Sequence, residues 1–263
     1  MIVGFQGEAG AFSEAAALEL FGGVETRGFV DFDALVAAVD SGEVDAGLIP
    51  CENTIYGSIA RTYDLLAQHD GVRIVDETTF RITQTLMGTP DADLATIERV
   101  TSHPVALEQC RAFLAAHPHL VVEAVPDTAG AVRAVMARGD ARTAAIGPAP
   151  AAARYGAKVL VPDVTDDVEN VTRFFAISRD AAPRRDIGRA CIALDLSHEA
   201  GALHAALGEA ASRGLNLRSL VARPARGRPF HYRFYLELDR PDDATIAALQ
   251  GAFGARMQLL GSY

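Results

Sequence analysis

The sequence predicts an α/β fold that gives way, in its last quarter, to a smaller unit of a different rhythm. Three observations carry this. Short β-branched runs alternate with Ala-rich helical stretches through residues 1–180, the signature of mainly parallel sheets flanked by helices. The segment Asp180-Ala-Ala-Pro-Arg-Arg-Asp-Ile-Gly188 then breaks the pattern with charge, proline and glycine and reads as a linker. Beyond it the order becomes strand, helix, strand, strand, helix, strand over about 75 residues, the βαββαβ order of a ferredoxin-like unit.

Taken in order, strands are predicted at 2–5, 25–30, 46–50, 72–75, 81–87, 99–102, 121–125, 143–146, 158–160 and 173–178, where apolar and β-branched residues cluster between turn formers. Helices are predicted at 13–21, 32–39, 106–116 and 129–137, which have helical apolar spacing and few breakers. An all-helical reading fails on the β-branched runs between them. The last part predicts strands at 191–196, 217–222, 231–238 and 258–260, with helices at 201–213 and 243–253. The expected division is 1–180, a linker at 181–189, and 190–263.

Composition narrows the function. The chain has 263 residues, enough to bury a core without metal or disulfide staples. Lys+Arg 24 against Asp+Glu 34 gives a net charge of −10, which disfavours a nucleic-acid surface or attachment to acidic lipid. Cys51, Cys110 and Cys191 are odd in number and lack CxxC spacing, so neither a disulfide framework nor a zinc site is expected. The start, MIVGFQGEAG, does not read as a signal peptide, and no apolar run approaches the ~18 residues of a membrane span. A reduced, cytoplasmic protein is the expectation.

In open α/β sheets ligands sit beyond the carboxyl ends of strands, near helix N-termini with free N–H groups. Five such junctions carry small or hydroxyl residues: 7–13, 52–58, 102–104, 127–130 and 147–150. Each alone fits ordinary capping and turn chemistry. Converging on one cleft, they would make an oxyanion-rich site suited to a carboxylate. No Walker loop, GxGxxG, HExxH or GxSxG elbow occurs, so phosphoryl transfer, redox and serine-hydrolase readings have no support. A sixth feature, Asn170-Val-Thr-Arg-Phe-Phe175, reads alone as an apolar strand with one threonine and one arginine.

Together, GFQGEAGAFSE (4–14), PCENTIYGSI (50–59), TSHPVALEQC (101–110), DTAGAV (127–132), TAAIGPAPAAARYG (143–156) and NVTRFFAISRD (170–180) resemble the prephenate dehydratase family in order and spacing. AGAL (200–203), GLNL (214–217) and ARP (222–224) resemble the ACT regulatory domain that follows in that family, and the likeness runs to the final LLGSY. The related arogenate dehydratases share the pattern, and GSIARTYDLL (57–66) and DTAGAV look closer to that branch.

The resemblance implies a carbon–oxygen lyase that converts prephenate to phenylpyruvate, with loss of carbon dioxide and water, in L-phenylalanine biosynthesis. Aromatisation drives the reaction, so no cofactor or metal is implied. It implies two α/β lobes around a cleft, as in periplasmic binding proteins. The first would take roughly the first 80 residues and a 158–178 return, the second the part between. Thr172 matches the family's principal catalytic residue, a positioned donor to the departing oxygen. Arg173 would clamp a substrate carboxylate or form a structural ion pair on the other strand face. Phe174, facing as Thr172 does, would pack on the substrate ring. Glu52 and Asn53 match a catalytic pair. Beside a dianion Glu52 would have to be held neutral or touch only the leaving hydroxyl, unless it simply caps the next helix. Ser102 and Gln109, the latter two turns into a helix, match further catalytic positions, and Ser13 and Thr128 match carboxylate contacts. His103 suits a cap better than a base, and Cys110 a core position better than a nucleophile.

For the last part, the resemblance implies a phenylalanine effector site at a dimer interface, with Gly201, Ala202, Leu203, Asn216, Arg223 and Pro224 matching its pattern. Ala200 replaces the usual proline, and Val221-Ala222 replaces a glutamate and a serine, so an acid and a hydroxyl of that pattern are missing here. A homodimer or homotetramer is implied. The remaining alternatives are arogenate as substrate, and a non-catalytic amino-acid sensor.

Overall fold

The computed structural model describes residues 1–180, 184–185, 187–225, 227–239 and 241–263, and the chain forms three sheets. The first contains β1 (Ile2–Gln6), β2 (Glu25–Phe29), β3 (Ala46–Asn53), the short β4 (Gly57–Ser58), β5 (Arg73–Arg81) and, returning late in the chain, β11 (Val171–Ser178), in the order β2-β1-β3-β11-β5 with β4 on β3. Helices α1 (Phe12–Phe21), α2 (Phe32–Ser41) and α3 (Ala60–Leu66) flank it. The second sheet contains β6 (Gln84–Gly88), β7 (Arg99–Ser102), β8 (Val121–Ala124), β9 (Thr143–Pro148) and β10 (Lys158–Val161), in the order β10-β6-β9-β7-β8. With it go α4 (Pro104–Glu108), α5 (Arg111–Ala116), α6 (Thr128–Arg138) and α7 (Ala149–Tyr155).

Both sheets are mixed rather than mainly parallel. β1 pairs in parallel with β2 and β3, and β7 with β8 and β9. The strands next to each crossover are antiparallel: β11 to β3 and β5, and β6 to β9 and β10. The chain passes from the first sheet to the second between Arg81 and Gln84 and returns between Val161 and Val171. The return into the first sheet is therefore β11 alone, since β10, expected to be part of it, pairs with β6 of the second sheet.

Several boundaries follow from local chemistry. Asp31 and Asp127 cap α2 and α6 by accepting from Ala34 N and Gly130 N, and Gly42 and Gly139 end these helices with positive φ. The helix expected at 106–116 is broken at Gln109–Cys110 into α4 and α5. The strand expected at 72–75 runs on to Arg81 through Asp76 and Glu77, both buried. Their charges are met by arginines: Arg185 grips Asp76 through two 2.8 Å hydrogen bonds, and Arg173 and Arg189 reach Glu77.

The third sheet is β12 (Arg189–Asp195), β13 (Asn216–Pro224), β14 (Tyr232–Asp239) and β15 (Met257–Ser262), in the order β13-β14-β12-β15, with α8 (Ala202–Ser212) and α9 (Asp243–Phe253). This is the predicted βαββαβ order. Alternation along β12 explains its unbroken apolar run. Ala190, Ile192 and Leu194 face α8 and α9, while Cys191 and Ala193 join Ile49, Tyr63, Ile74 and Phe175 of the first sheet's core. The third sheet thus shares a core with the first. Of the segment expected to be a linker, 181–183 and 186 lie outside the described residues. Arg184 N donates to Val75 O, and Arg185 is tied to Asp76.

The sheets meet most tightly at Gly261. A Cβ there would overlap the Ile74 carbonyl oxygen and lie 2.7 Å from Ile74 Cβ. Gly261→Ala should therefore destabilise the protein by about 1–3 kcal/mol through overpacking, seen as a lower urea midpoint; an unchanged midpoint would mean the β15–β5 contact is looser than this.

Candidate active site

The site is set by one irregularity in β3. Along β11, Thr172 is opposite Asn53 and Arg173 opposite Glu52, but Phe174 is opposite Pro50, so Cys51 is an extra residue. This bulge flips the alternation of β3. Pro50 and Asn53 face one side with Thr172 and Phe174, and Glu52 faces the other with Arg173.

The first side is a cavity of about 270 Å³ between the first two sheets. Phe12, Ser13, Pro50, Asn53, Thr172 and Phe174 line it from the first sheet and α1. Gln84, His103, Val105, Gln109 and Thr128 line it from the second, with Ile82 in the crossover. None of its lining side chains is Asp, Glu, Lys or Arg. A comparable cavity of about 260 Å³ lies against the third sheet, but its Asp64, Asp195 and Arg233 are spent in ion pairs with Arg223 and with each other.

Asn53 organises one wall. Its Oδ1 accepts from Ile55 N (2.9 Å) and Tyr56 N (3.1 Å), closing the turn into β4. Its Nδ2 donates to Asn170 Oδ1 at 2.8 Å and to Thr172 Oγ1 at 3.0 Å. Because Thr172 accepts there, its own proton is left to donate into the cavity. On the facing wall Gln84 Nε2 donates to Gln109 Oε1 at 2.9 Å, while the buried Gln84 Oε1 has no hydrogen-bond partner. Ser13 and Thr128 stand in the first turns of α1 and α6, where helix N–H groups suit an anion. His103 caps α4 by accepting from Val105 N, as expected, and also lines the cavity. Tyr56 donates its hydroxyl across to Glu108 of α4 at 3.3 Å.

Three residues expected to touch substrate do not line the cavity, and for Arg173 the ion pair left open as its alternative is what forms. Arg173 does not reach the cavity. It turns to the third sheet and donates to Glu237 at 2.7 and 2.9 Å, to Glu52 at 2.9 and 3.1 Å, and to Glu77 at 3.1 Å. Burial, the largest single influence, works against the guanidinium's charge, but the Glu237 hydrogen bonds together with the electrostatic attraction of the groups around it hold its pKa above the ordinary value. Glu52 is on the same face, neither in the cavity nor capping α3, because the Cys51 bulge inverts it. Ser102 ends β7 fully buried, and its hydroxyl donates to Ile146 O at 2.6 Å, so its proton is spent tying β7 to β9. Gln109 is in place but as the C-cap of α4 rather than two turns into a helix. Sequence reasoning did not single out Gln84, Ile82, Tyr56 or Phe12: Gln84 opens β6 and Ile82 lies in the crossover, outside any motif, while Phe12 and Tyr56 stand inside motifs whose polar neighbours were picked instead.

The residues expected at an effector site are less concentrated. Ala202 and Leu203 line a cavity of about 120 Å³ with His198, Tyr232 and Phe234. Gly201 starts α8 with φ 84°, Asn216 pairs with Asp239, and Arg223 reaches Asp64 of α3 at 2.8 Å. Pro224 lines the cavity beside Asp64.

Comparison with known proteins follows this geometry. The family model for prephenate dehydratase matches residues 3–182. An arogenate dehydratase/prephenate dehydratase of Arabidopsis thaliana is 34% identical over 99% of this chain and 72% of its own length. A solved prephenate dehydratase from Arthrobacter aurescens, in complex with L-Phe, is 30% identical with a TM-score of 0.90, covering 100% of this chain and 90% of that one. A structure described as GqqA, a novel type of quorum quenching acylase, is 29% identical with a TM-score of 0.90, covering 99% and 97%.

Cys110, beside Gln109, is fully buried. Burial first, then Asp166 and Asp163, push its thiol up to about 12. The folded state therefore holds this proton more tightly than the unfolded chain, whose thiol titrates near 8.5. That contribution to stability is whole below about 8.5 and drains as pH rises towards the folded value, by about 1.4 kcal/mol per pH unit. The urea midpoint should fall from about pH 7 to about pH 10, and fall less in Cys110→Ala; identical slopes would show that the thiol is not linked to unfolding.

Proposed function

The chain belongs to the prephenate dehydratase family, and on that premise we propose that it converts prephenate to phenylpyruvate in the cleft between its first two sheets. The observation that carries this is the Asn53–Thr172 hydrogen bond, which commits the threonine oxygen as acceptor and frees its proton. In the reaction the ring carboxylate leaves as carbon dioxide, its bonding electrons enter the ring, and the ring hydroxyl leaves as hydroxide that takes a proton from solvent to become water. Thr172 is too weak an acid to give up its proton outright. It donates a hydrogen bond that strengthens as charge builds on the departing oxygen. Ser13 and Thr128, with the first turns of α1 and α6, receive the substrate's carboxylates. The Gln84–Gln109 amide pair supplies a further donor and acceptor, and Phe174 packs on the ring.

The cavity lining supports prephenate over arogenate. It offers no carboxylate to pair with arogenate's ammonium group, whereas the keto acid of prephenate asks only for hydrogen-bond donors. An acylase reading finds less support: among the described residues no hydrogen bond joins a cavity serine or threonine hydroxyl to an imidazole or carboxylate, the arrangement that activates such a nucleophile. We assign 190–263 as an ACT unit, with L-phenylalanine as effector held between paired copies of the chain in a homodimer or homotetramer. The βαββαβ order and a relative solved with L-Phe support this assignment. A cytoplasmic setting accords with three buried, unpaired cysteines.

Purified protein mixed with prephenate should generate phenylpyruvate absorbance, with kcat/KM above that for arogenate. Absence of turnover on both would overturn the reading. Thr172→Ala should lower kcat by ~10²–10³-fold with folding intact, and near-normal turnover would remove the donor role. L-Phenylalanine should lower activity and shift sedimentation; indifference would mean that Val221 and Ala222 have disabled the effector site.

A further inference from the structure

Thr172 and Arg173 are neighbours on β11 that serve opposite faces, one in the cavity and one in the contact with the third sheet. The cross-strand pairs repeat this division: Asn53 with Thr172, and Glu52 with Arg173. Three carboxylates surround the guanidinium, and two of them, Glu52 and Glu77, belong to the same sheet as Arg173. Glu237, on β14, is the one from the third sheet, and it is the most deeply buried at 2% exposure. Both of its oxygens accept from Arg173, and Oε1 also accepts from the fully buried Tyr63 of α3 at 2.6 Å.

The ladder is irregular where this matters. The Cys51 bulge lies directly beside the Arg173–Glu52 pair, so the ladder is interrupted there on the β3 side, while β5 keeps β11 in regular register from Val171 to Ala176; a bulge re-aims the side chains of the strand that carries it. The Glu237–Arg173–Glu52 chain spans this interruption, tying β14 to β11 and β11 to β3 one residue from the Asn53–Thr172 bond.

We propose that Glu237 and Tyr63 are positioning residues for the chemistry at Thr172: the Glu237 carboxylate, held by Tyr63, locks Arg173 and Glu52, and the docking of the third sheet is thereby read out in turnover. This rests on the prephenate reading for its kinetic arm, but not for its structural one.

The test uses the full chain with Glu237→Gln and Tyr63→Phe. Glu237→Gln should lower kcat by about tenfold to a hundredfold while KM changes by less than about threefold, since the other cavity walls keep their places. Tyr63→Phe, which keeps the ring and loses the hydroxyl, should lower kcat in the same direction by less. Amide hydrogen exchange at 51–53 and 171–173 should quicken in both. A purely structural role would instead lower Tm and leave kcat and exchange at those positions unchanged well below it. That result in both variants overturns the proposal. Should Glu237→Gln fail to fold, Tyr63→Phe decides alone. Should the unmodified chain turn over neither prephenate nor arogenate, the functional reading fails, and the exchange measurement still decides the coupling.

Discussion

The buried contact of Arg173 with Glu237 is the constraint around which the rest is arranged. A guanidinium taken out of water must be met by hydrogen-bonded carboxylates, and removing one partner of such a pair commonly costs about 3–5 kcal/mol because a charge is left stranded. Here the partners come from β3, β5 and β14. They decide that the third sheet lies flat on the first, sharing the cluster of Tyr63, Phe175, Tyr235 and Tyr263. They also decide that strand β11 has no exposed face. Once Arg173 is fixed on one side, Thr172 and Phe174 have only the cavity side to occupy.

The cavity shows the complementary choice. Formal charge is concentrated behind the wall and kept out of the pocket itself. Hydroxyls, amides and the first turns of α1 and α6 are left to handle an anionic ligand. Such dipoles are held in place by their own hydrogen bonds, as Asn53 is by Asn170 and by the turn into β4. They need little rearrangement when charge moves during a reaction, which is the property that makes fixed dipoles effective in catalysis.

Much of this was legible in the sequence. The strand–helix alternation located most elements, and β12 through β15 with their two helices were found in order. Thr172, Asn53, Gln109, Ser13, Thr128 and Phe174, each singled out beforehand, line one cavity. The failures have physical causes. Asp76 and Glu77 disguise the middle of β5, because a hydrophobic pattern does not register carboxylates that are buried against arginines 96 or more residues away. Mainly parallel sheets were expected because strand–helix units imply them, but the two crossovers bring antiparallel strands into the middle of each. Glu52 was misplaced because simple alternation from Pro50 puts it in the cleft, and only the three-dimensional register discloses Cys51 as an extra residue. Ser102 was given the wrong role and Gln84 was missed for a similar reason, since each is defined by a partner on a different strand or helix.

That additional residue has a consequence for how the chain can vary. Between Pro50 and Asn53 the polypeptide is one residue longer than its neighbour β11 requires. Drawing it into a regular ladder would turn the glutamate inward and the asparagine outward, whereas removing it would leave Glu52 opposite Arg173 and Asn53 opposite Thr172. Substitution at Cys51 leaves the count intact, whereas shortening the segment does not. The residue that fills the bulge is itself held, since Cys51 is fully buried and its thiol donates to Arg173 O at 3.3 Å.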